Sequence, residues 1–426
     1  MLKKVLAFVG VLVFGVGMFF IGFFVRNFTN PDLVTLKFVL EKYKNYYLEQ
    51  DDNYIDIMVE GLLDGYSEYY TKEEYDLIKK AAKGVRVGVG ITVAKSNGLA
   101  YIVDVKGNSP AEIAGVKKGG YIIGIKKASE SEFQTLTFEN YSSKLEEQET
   151  GERFNIKVDY AGEEEIFELA KREYNETYVF YTDSSGSYRF TDGGGDSLEF
   201  VKCNSDLGVD IPSDTAYLKY KSFNGSTNDI YGSAKQVEKV MEKFASTGKK
   251  KIIIDLRGNG GGFMDIMCSF SSHFIGASKN DRVLVSYATY KDGKKDEFRS
   301  NKVKYTNYGF TSIIILADSG TASASEAFIG ACLDYDYRNI VKVVLSRNSK
   351  GEYKTYGKGI MQTTFVNTSV GDALKLTTAK IYWPVSNISI HGVGITENLS
   401  GFSDKIYQAP YVENIDYELN YALSLN

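Results

Sequence analysis

Histidine is nearly missing from this chain: two residues in 426, His273 and His391. An imidazole-based zinc site has almost nothing to draw on, and neither does proton chemistry that leans on histidine. Cysteine is scarce as well. Cys203, Cys268 and Cys332 make no disulfide framework, and no C-x-x-C pair suggests a metal site. Cys268 and Cys332 sit among apolar residues of predicted helices, as core residues do; a bridge between them would need Cα atoms within roughly 7 Å. Positive charge is in deficit, with a net charge of −5 and no basic run interleaved with aromatics, which speaks against a nucleic-acid partner. Nothing implies a metal or an organic cofactor. The remaining composition, 43% hydrophobic and 25% charged, is that of a globular protein long enough for two or three domains.

One long apolar run is present. After Met1-Leu-Lys-Lys4, Val5 to Val25 gives 21 residues without a charge, ended by Arg26. That crosses a hydrocarbon core of about 30 Å at about 1.5 Å per residue. The run is long for a signal peptide and has no A-x-A-like cleavage site, so residues 1–28 read as an uncleaved single-pass anchor. Lysines and arginines flank both ends, so charge alone does not orient it.

Three segments carry the chemistry. In the first, the apolar run Ser312–Ala317 reads as a buried parallel strand, and Asp318-Ser-Gly-Thr-Ala-Ser-Ala-Ser-Glu-Ala-Phe328 reads as a small-residue turn opening a helix. Such a turn can present a hydroxyl in a cleft toward which the new helix points its amides; taken alone, it reads first as an N-cap cluster. In the second, Lys251-Ile-Ile-Ile-Asp-Leu-Arg-Gly-Asn-Gly-Gly-Gly-Phe263 is again a strand running into glycines and then a helix. The third, Lys354-Thr-Tyr-Gly-Lys-Gly-Ile-Met-Gln362, sets a lysine among glycines with a glutamine four residues on. Taken alone, it is a surface lysine in a loop. Gly258–Gly262 does not fit G-x-G-x-x-G, and Gly351–Gly359 misses the P-loop spacing and its Ser/Thr.

Together, and in the order they take along the chain, the three segments resemble the carboxyl-terminal processing (tail-specific) serine peptidases. The resemblance implies Ser323 as nucleophile, Lys358 as general base and Gln362 as the residue orienting the lysine. It implies an oxyanion hole from the amides of Gly261, then Gly262, joined by Ala324. A lysine can replace histidine only when neutral near pH 7, which burial favours; Tyr356, Ile360 and Met361 around Lys358 suit an enclosed approach. Gln362 would hold the amine without adding the negative charge that would raise its pKa. His273 lies in a predicted helix as a packing residue, and His391, in Ser389-Ile-His-Gly-Val-Gly394, is the rival base.

The resemblance also orders the chain as an α/β protein: a crotonase/ClpP-like peptidase core at 212–426 with an inserted, mostly β PDZ domain at 81–172. A helical region at 29–80, carrying the spacings Leu33, Leu36, Val39, Leu40, Tyr43 and Ile55, Val59, Leu62, Leu63, is expected to pack on the core. Alternation at Val87, Val89, Ile91 and Val93 suits a half-buried strand. The segment Val87, Gly88, Val89, Gly90, Ile91 corresponds to the loop that holds a peptide's terminal carboxylate. Residues 173–211, with turns at Asp183–Ser187 and Asp192–Asp196, match the family poorly and read as a variable insertion. The stretch between Ser323 and Lys358 is longer than the family's, with the surplus in Ser346–Thr355, which a loop absorbs at modest entropic cost. The expected partners are proteins with an exposed apolar carboxyl terminus, met outside the cytoplasm by an anchored enzyme; a homo-oligomer is compatible with all of this. The competing expectation is an anchored, inactive PDZ scaffold of the same fold.

Overall fold

The computed structural model of the chain describes residues 31–46, 54–191, 198–203, 207–225, 227, 230–276, 282–302, 308–413 and 415–425. The expected anchor at 5–25 and the turn at 192–196 lie outside these residues. No helix among the described residues is long and apolar enough to cross a membrane. The chain divides into two compact units at Tyr69/Tyr70. In the first, the spacing Leu33 to Tyr43 lies in α1 (Pro31–Tyr46), and Ile55 and Val59 lie in α2 (Tyr54–Glu60), while Leu62 and Leu63 fall beyond its end.

The second unit opens with α3 (Lys72–Ala82), started by a reciprocal cap in which Thr71 and Glu74 satisfy each other's backbone N–H. β1 (Val85–Gly88) then pairs antiparallel with the later β7 (Arg172–Asn175), so the chain enters and leaves the next module side by side. Inside lie β2 (Ile91–Ser96), α4 (Pro110–Ile113), α5 (Phe138–Glu146) and the strands β3 (Leu99–Val105), β4 (Tyr121–Lys127), β5 (Arg153–Tyr160) and β6 (Glu163–Ala170). The strands pair in the order β2-β3-β4-β5-β6. Period-two patterning drives them: Phe154, Ile156 and Val158 of β5 point inward onto Ile102 and Ile122 and are fully buried. β2 is an edge strand, and α5 packs against β2 and β3.

The main sheet is built from β8 (Val179–Asp183), β9 (Gly186–Thr191), β10 (Glu199–Cys203), β11 (Thr215–Tyr220), β12 (Lys251–Asp255), β15 (Ser312–Ala317), β16 (Val341–Leu345) and β19 (Ile406–Gln408). Its order is β10-β9-β8-β11-β12-β15-β16-β19. β11 to β19 run parallel. Both faces are covered, so these strands read as continuous apolar runs. Ile252, Ile254, Ile313 and Ile315 face the helices α6 (Ser233–Ser246), α7 (Met264–Ser271) and α8 (Ala324–Asp334). Ile253, Ile314 and Leu316 face α9 (Tyr417–Ser424) through Leu419 and Ala422. In the stretch read as a variable insertion, β8 and β9 form a hairpin that, with β10, extends the main sheet antiparallel, with Val179 opposite Tyr220. A second antiparallel sheet, ordered β14-β13-β18-β17, comprises β13 (Leu284–Tyr290), β14 (Lys295–Arg299), β17 (Ile360–Val366) and β18 (Ala373–Tyr382). The three cysteines are free thiols, with Cys268 and Cys332 buried.

Candidate active site

The site forms where β12 and β15, neighbours in the parallel sheet, both end. Their loops are stitched together. Asp318 Oδ1 accepts from the N–H groups of Gly258 and Gly320, and the Thr321 hydroxyl donates to Leu256 O. Asn259, fully buried, does most of this joining. Its carbonyl accepts from Ala322 N–H and the Ser325 hydroxyl, and its side chain bonds Tyr220 O and Gly261 N–H.

Ser323 sits at the head of α8 with φ +57° and ψ −117°, a left-handed conformation that non-glycine residues rarely take. Glycine is required opposite it. A Cβ on Gly261, at φ +102°, would fall 2.8 Å from Ala322 O and 2.9 Å from Ser323 Cβ and Ala324 N. On Gly262 it would meet Phe223 O at 2.2 Å. Position in the motif ranks Gly261 first among oxyanion donors, but its amide donates to Asn259 Oδ1 at 2.9 Å, because that buried carboxamide oxygen needs a donor. Among the described residues no acceptor meets the amides of Gly262 and Ala324.

The lysine segment is fixed by a residue to which the sequence reading gave no role. Glu326, in the first turn of α8, is fully buried. Its Oε1 accepts from the Thr355 hydroxyl (2.5 Å) and Gly357 N–H (2.8 Å). Its Oε2 accepts from the N–H groups of Ser323 and Lys358, both at 2.9 Å. One carboxylate therefore holds the backbones of residues 323 and 358 together. Burial pushes its pKa up, although the bonds from Thr355, Gly357, Lys358 and Ser323 oppose this. The signal lay in the sequence: an acidic residue three positions after a serine, at the start of an otherwise apolar helix.

Ser323, Lys358 and Gln362 line one cavity of about 240 Å³ together with Gly260, Gly262, Phe263, Met264, Ile360, Met361 and Ile381. Lys358 is half-buried. Its neighbour Gly359 has no room for a side chain, since a Cβ would lie 2.7 Å from His391 N. Gln362 Nε2 donates to Thr377 Oγ1 at 3.1 Å, which leaves its acceptor end as the one able to take an amine proton. Neither histidine lines this cavity. His273 is buried with Nδ1 2.7 Å from the Tyr308 hydroxyl, and His391 is exposed.

A charged cluster backs the glycine loop. Arg257 bonds both oxygens of Asp255 (2.7 and 3.0 Å), both oxygens of Asp416 (2.8 Å each) and Glu418 Oε2 (3.1 Å). Lys219 Nζ adds contacts to Asp255 Oδ1 and Arg257 O, and the Tyr217 hydroxyl donates to Asp255 Oδ2 at 2.6 Å. Burial alone would raise the Asp255 pKa, but Lys219 and Arg257 hold it down at about 2.

Of the residues expected to meet a peptide terminus, Val87 and Gly88 pair with Glu173 and Arg172. Val89 is buried with its carbonyl accepting from Ala111 N–H at 3.0 Å. Gly90, at φ +78°, lies against Ser109, and its carbonyl accepts from Lys106 N–H at 2.8 Å. Ile91 begins the edge strand β2.

Comparison with known proteins agrees with this geometry. Residues 214–400 match the family described as peptidase family S41. A protein of Staphylococcus aureus strain N315, named as a probable CtpA-like serine protease, is 28% identical over 394 residues, covering 90% of this chain and 68% of that one. Its counterpart of the same name in Staphylococcus saprophyticus is 28% identical over 370 residues, covering 84% and 64%. A solved structure from Bacteroides fragilis NCTC 9343, assigned to the S41 proteases, superposes with a TM-score of 0.54 at 18% identity, covering 88% of this chain and 90% of that one, which shows a shared fold. The match to peptidase family S41 spans residues 214–400 and, with the site geometry above, marks the chain as a serine peptidase.

Proposed function

We propose that the chain is an endopeptidase that cleaves proteins near their carboxyl-terminal tails, with Ser323 as nucleophile, Lys358 as general base and Gln362 orienting the amine, on a crotonase/ClpP-like core. The carrying observation is the single cavity lined by these three side chains, with Glu326 bonding the backbones of residues 323 and 358.

In the reaction, the neutral Lys358 amine takes the Ser323 hydroxyl proton as Oγ attacks the scissile carbonyl. The oxyanion that forms is met by the amides of Gly262 and Ala324, each such donor being worth roughly 3–4 kcal/mol of barrier. The ammonium then returns its proton to the leaving amine as the C–N bond breaks. Water, deprotonated by the same amine, releases the acyl group and restores the serine.

The β-module at 81–172 is read as a PDZ domain. The open edge of β2 beside α5 can take an extended carboxyl-terminal tail as an added strand, its carboxylate at Val87–Ile91. Val5–Val25 would tether the enzyme to a membrane, with its catalytic part outside the cytoplasm.

The test uses an unfolded reporter protein with an apolar carboxyl terminus. Ser323→Ala and Lys358→Ala should abolish cleavage while tail binding persists, and His391→Ala should cleave normally. Cleavage by the Ser323→Ala protein would sink the assignment, and a dead His391→Ala would hand the base role to the imidazole.

A further inference from the structure

We infer that the carboxyl-terminal segment 415–425 is a buckle holding both halves of the active site, with Asp416 and Tyr417 as positioning residues for catalysis. This rests on the site reading above.

Asp416 caps α9 by accepting from Leu419 N–H, and both its oxygens engage Arg257, the residue directly before Gly258 of the glycine loop. The guanidinium is also bound to Asp255, at the end of β12, so strand, loop and terminal helix meet at one planar group. The next residue, Tyr417, reaches the other half of the site. Its hydroxyl accepts from Arg347 N–H at 3.2 Å, and the Arg347 guanidinium lies over the Tyr411 ring at 6.0 Å. Arg347 starts the long stretch that leads to Lys358, turning back on itself through an Arg347–Tyr353 bridge before Thr355 meets Glu326. Two adjacent residues of one helix start thus brace the oxyanion loop and the lysine loop. α9 itself cannot shift freely, since Leu419 and Ala422 are buried against Ile253 and Ile314.

A brace of this kind acts on the transition state and leaves substrate binding unchanged. The experiment compares the full-length protein with Asp416→Asn, Asp416→Glu, Glu418→Gln and Tyr417→Phe. Readouts are kcat and KM on the reporter, melting temperature, and inhibition by a peptide aldehyde, whose serine adduct places an oxygen in the oxyanion position. Asp416→Asn should lower kcat about tenfold or more and weaken the aldehyde by a similar factor, with KM within about twofold. Asp416→Glu, which keeps the charge, should recover most of both. Tyr417→Phe should lower kcat a few-fold. A folded Asp416→Asn protein with unchanged kcat overturns the inference, as does a kcat loss with aldehyde affinity untouched. Should Asp416→Asn fail to fold, wild-type kcat in both Glu418→Gln and Tyr417→Phe overturns it instead. Full cleavage by Ser323→Ala would strike the site reading itself, so the two failures are distinguishable.

Discussion

Replacing Glu326 by glutamine changes one atom and should disable the enzyme. The carboxylate faces four donors: Thr355 and Gly357 at one oxygen, Ser323 and Lys358 at the other. An amide has one oxygen, so one pair of donors must face an NH2. The cheaper orientation turns that NH2 toward Thr355, whose hydroxyl can rotate and accept, and leaves Gly357 N–H without an acceptor. An unsatisfied buried donor costs about 1–3 kcal/mol, and a hydrogen bond to a charged group is worth about 1.5–3 kcal/mol. Two bonds survive with a neutral acceptor. These losses sum to roughly 3–6 kcal/mol, but removing the buried charge relieves the desolvation that raises this carboxyl's pKa, so the effect falls chiefly on the placement of residues 323 and 358. Urea unfolding of Glu326→Gln in the Ser323→Ala background, which cannot digest itself, measures the effect on stability. Steady-state kinetics of Glu326→Gln alone measures the effect on placement, expected as a loss in kcat of about a hundredfold or more. Native stability together with native kcat would refute the claim that this carboxylate assembles the site.

The same residue predicts an acid limb. Its folded pKa is raised, so protonation begins above the ordinary glutamate range and removes an acceptor from the cradle. By linkage, a raised folded pKa makes this group's contribution to stability greatest in acid, below its unfolded pKa, and that contribution is lost as pH rises through the folded value. Activity should therefore fall on mild acidification while the protein stays folded; a pH–kcat profile beside circular dichroism checks this, and coincident loss of both would contradict it. Gly261→Ala forces a methyl within 2.9 Å of the serine turn at φ +102°, and should lower kcat sharply and stability by about 1–3 kcal/mol; a variant as active as wild type would show that the loop moves freely. In Gly330→Ala a methyl would fall 2.1 Å from the Trp383 ring, so the melting temperature should drop even though alanine favours helix by about 1 kcal/mol. A rise would mean the helix simply shifts.

Much of the site could be read before the fold, because its parts are local. A strand, a small-residue turn and a helix announce themselves within a dozen residues around Ser323, and Lys358 stands among glycines just ahead of strand β17. The roles of Glu326 and Arg257 were hidden for a different reason. Both stood within quoted motifs, but their partners, Thr355 for the first and Asp416 and Glu418 for the second, are remote in sequence and become visible only through packing. Residues 179–203 stayed opaque because their place depends on Val179 finding Tyr220, a long-range register that no local pattern encodes. Position in a motif makes Gly261 a donor, but the Asn259 side chain that occupies its amide is set by packing the motif does not encode.

Ser323 has a consequence for how this protein tolerates change. At φ +57° and ψ −117° a side chain is a burden of order 1–3 kcal/mol, and glycine would carry none of it. A glycine variant at 323 would thus be sturdier and, on the proposed mechanism, inert at once, so the strained backbone is a burden on the scaffold that only the hydroxyl's reactivity offsets.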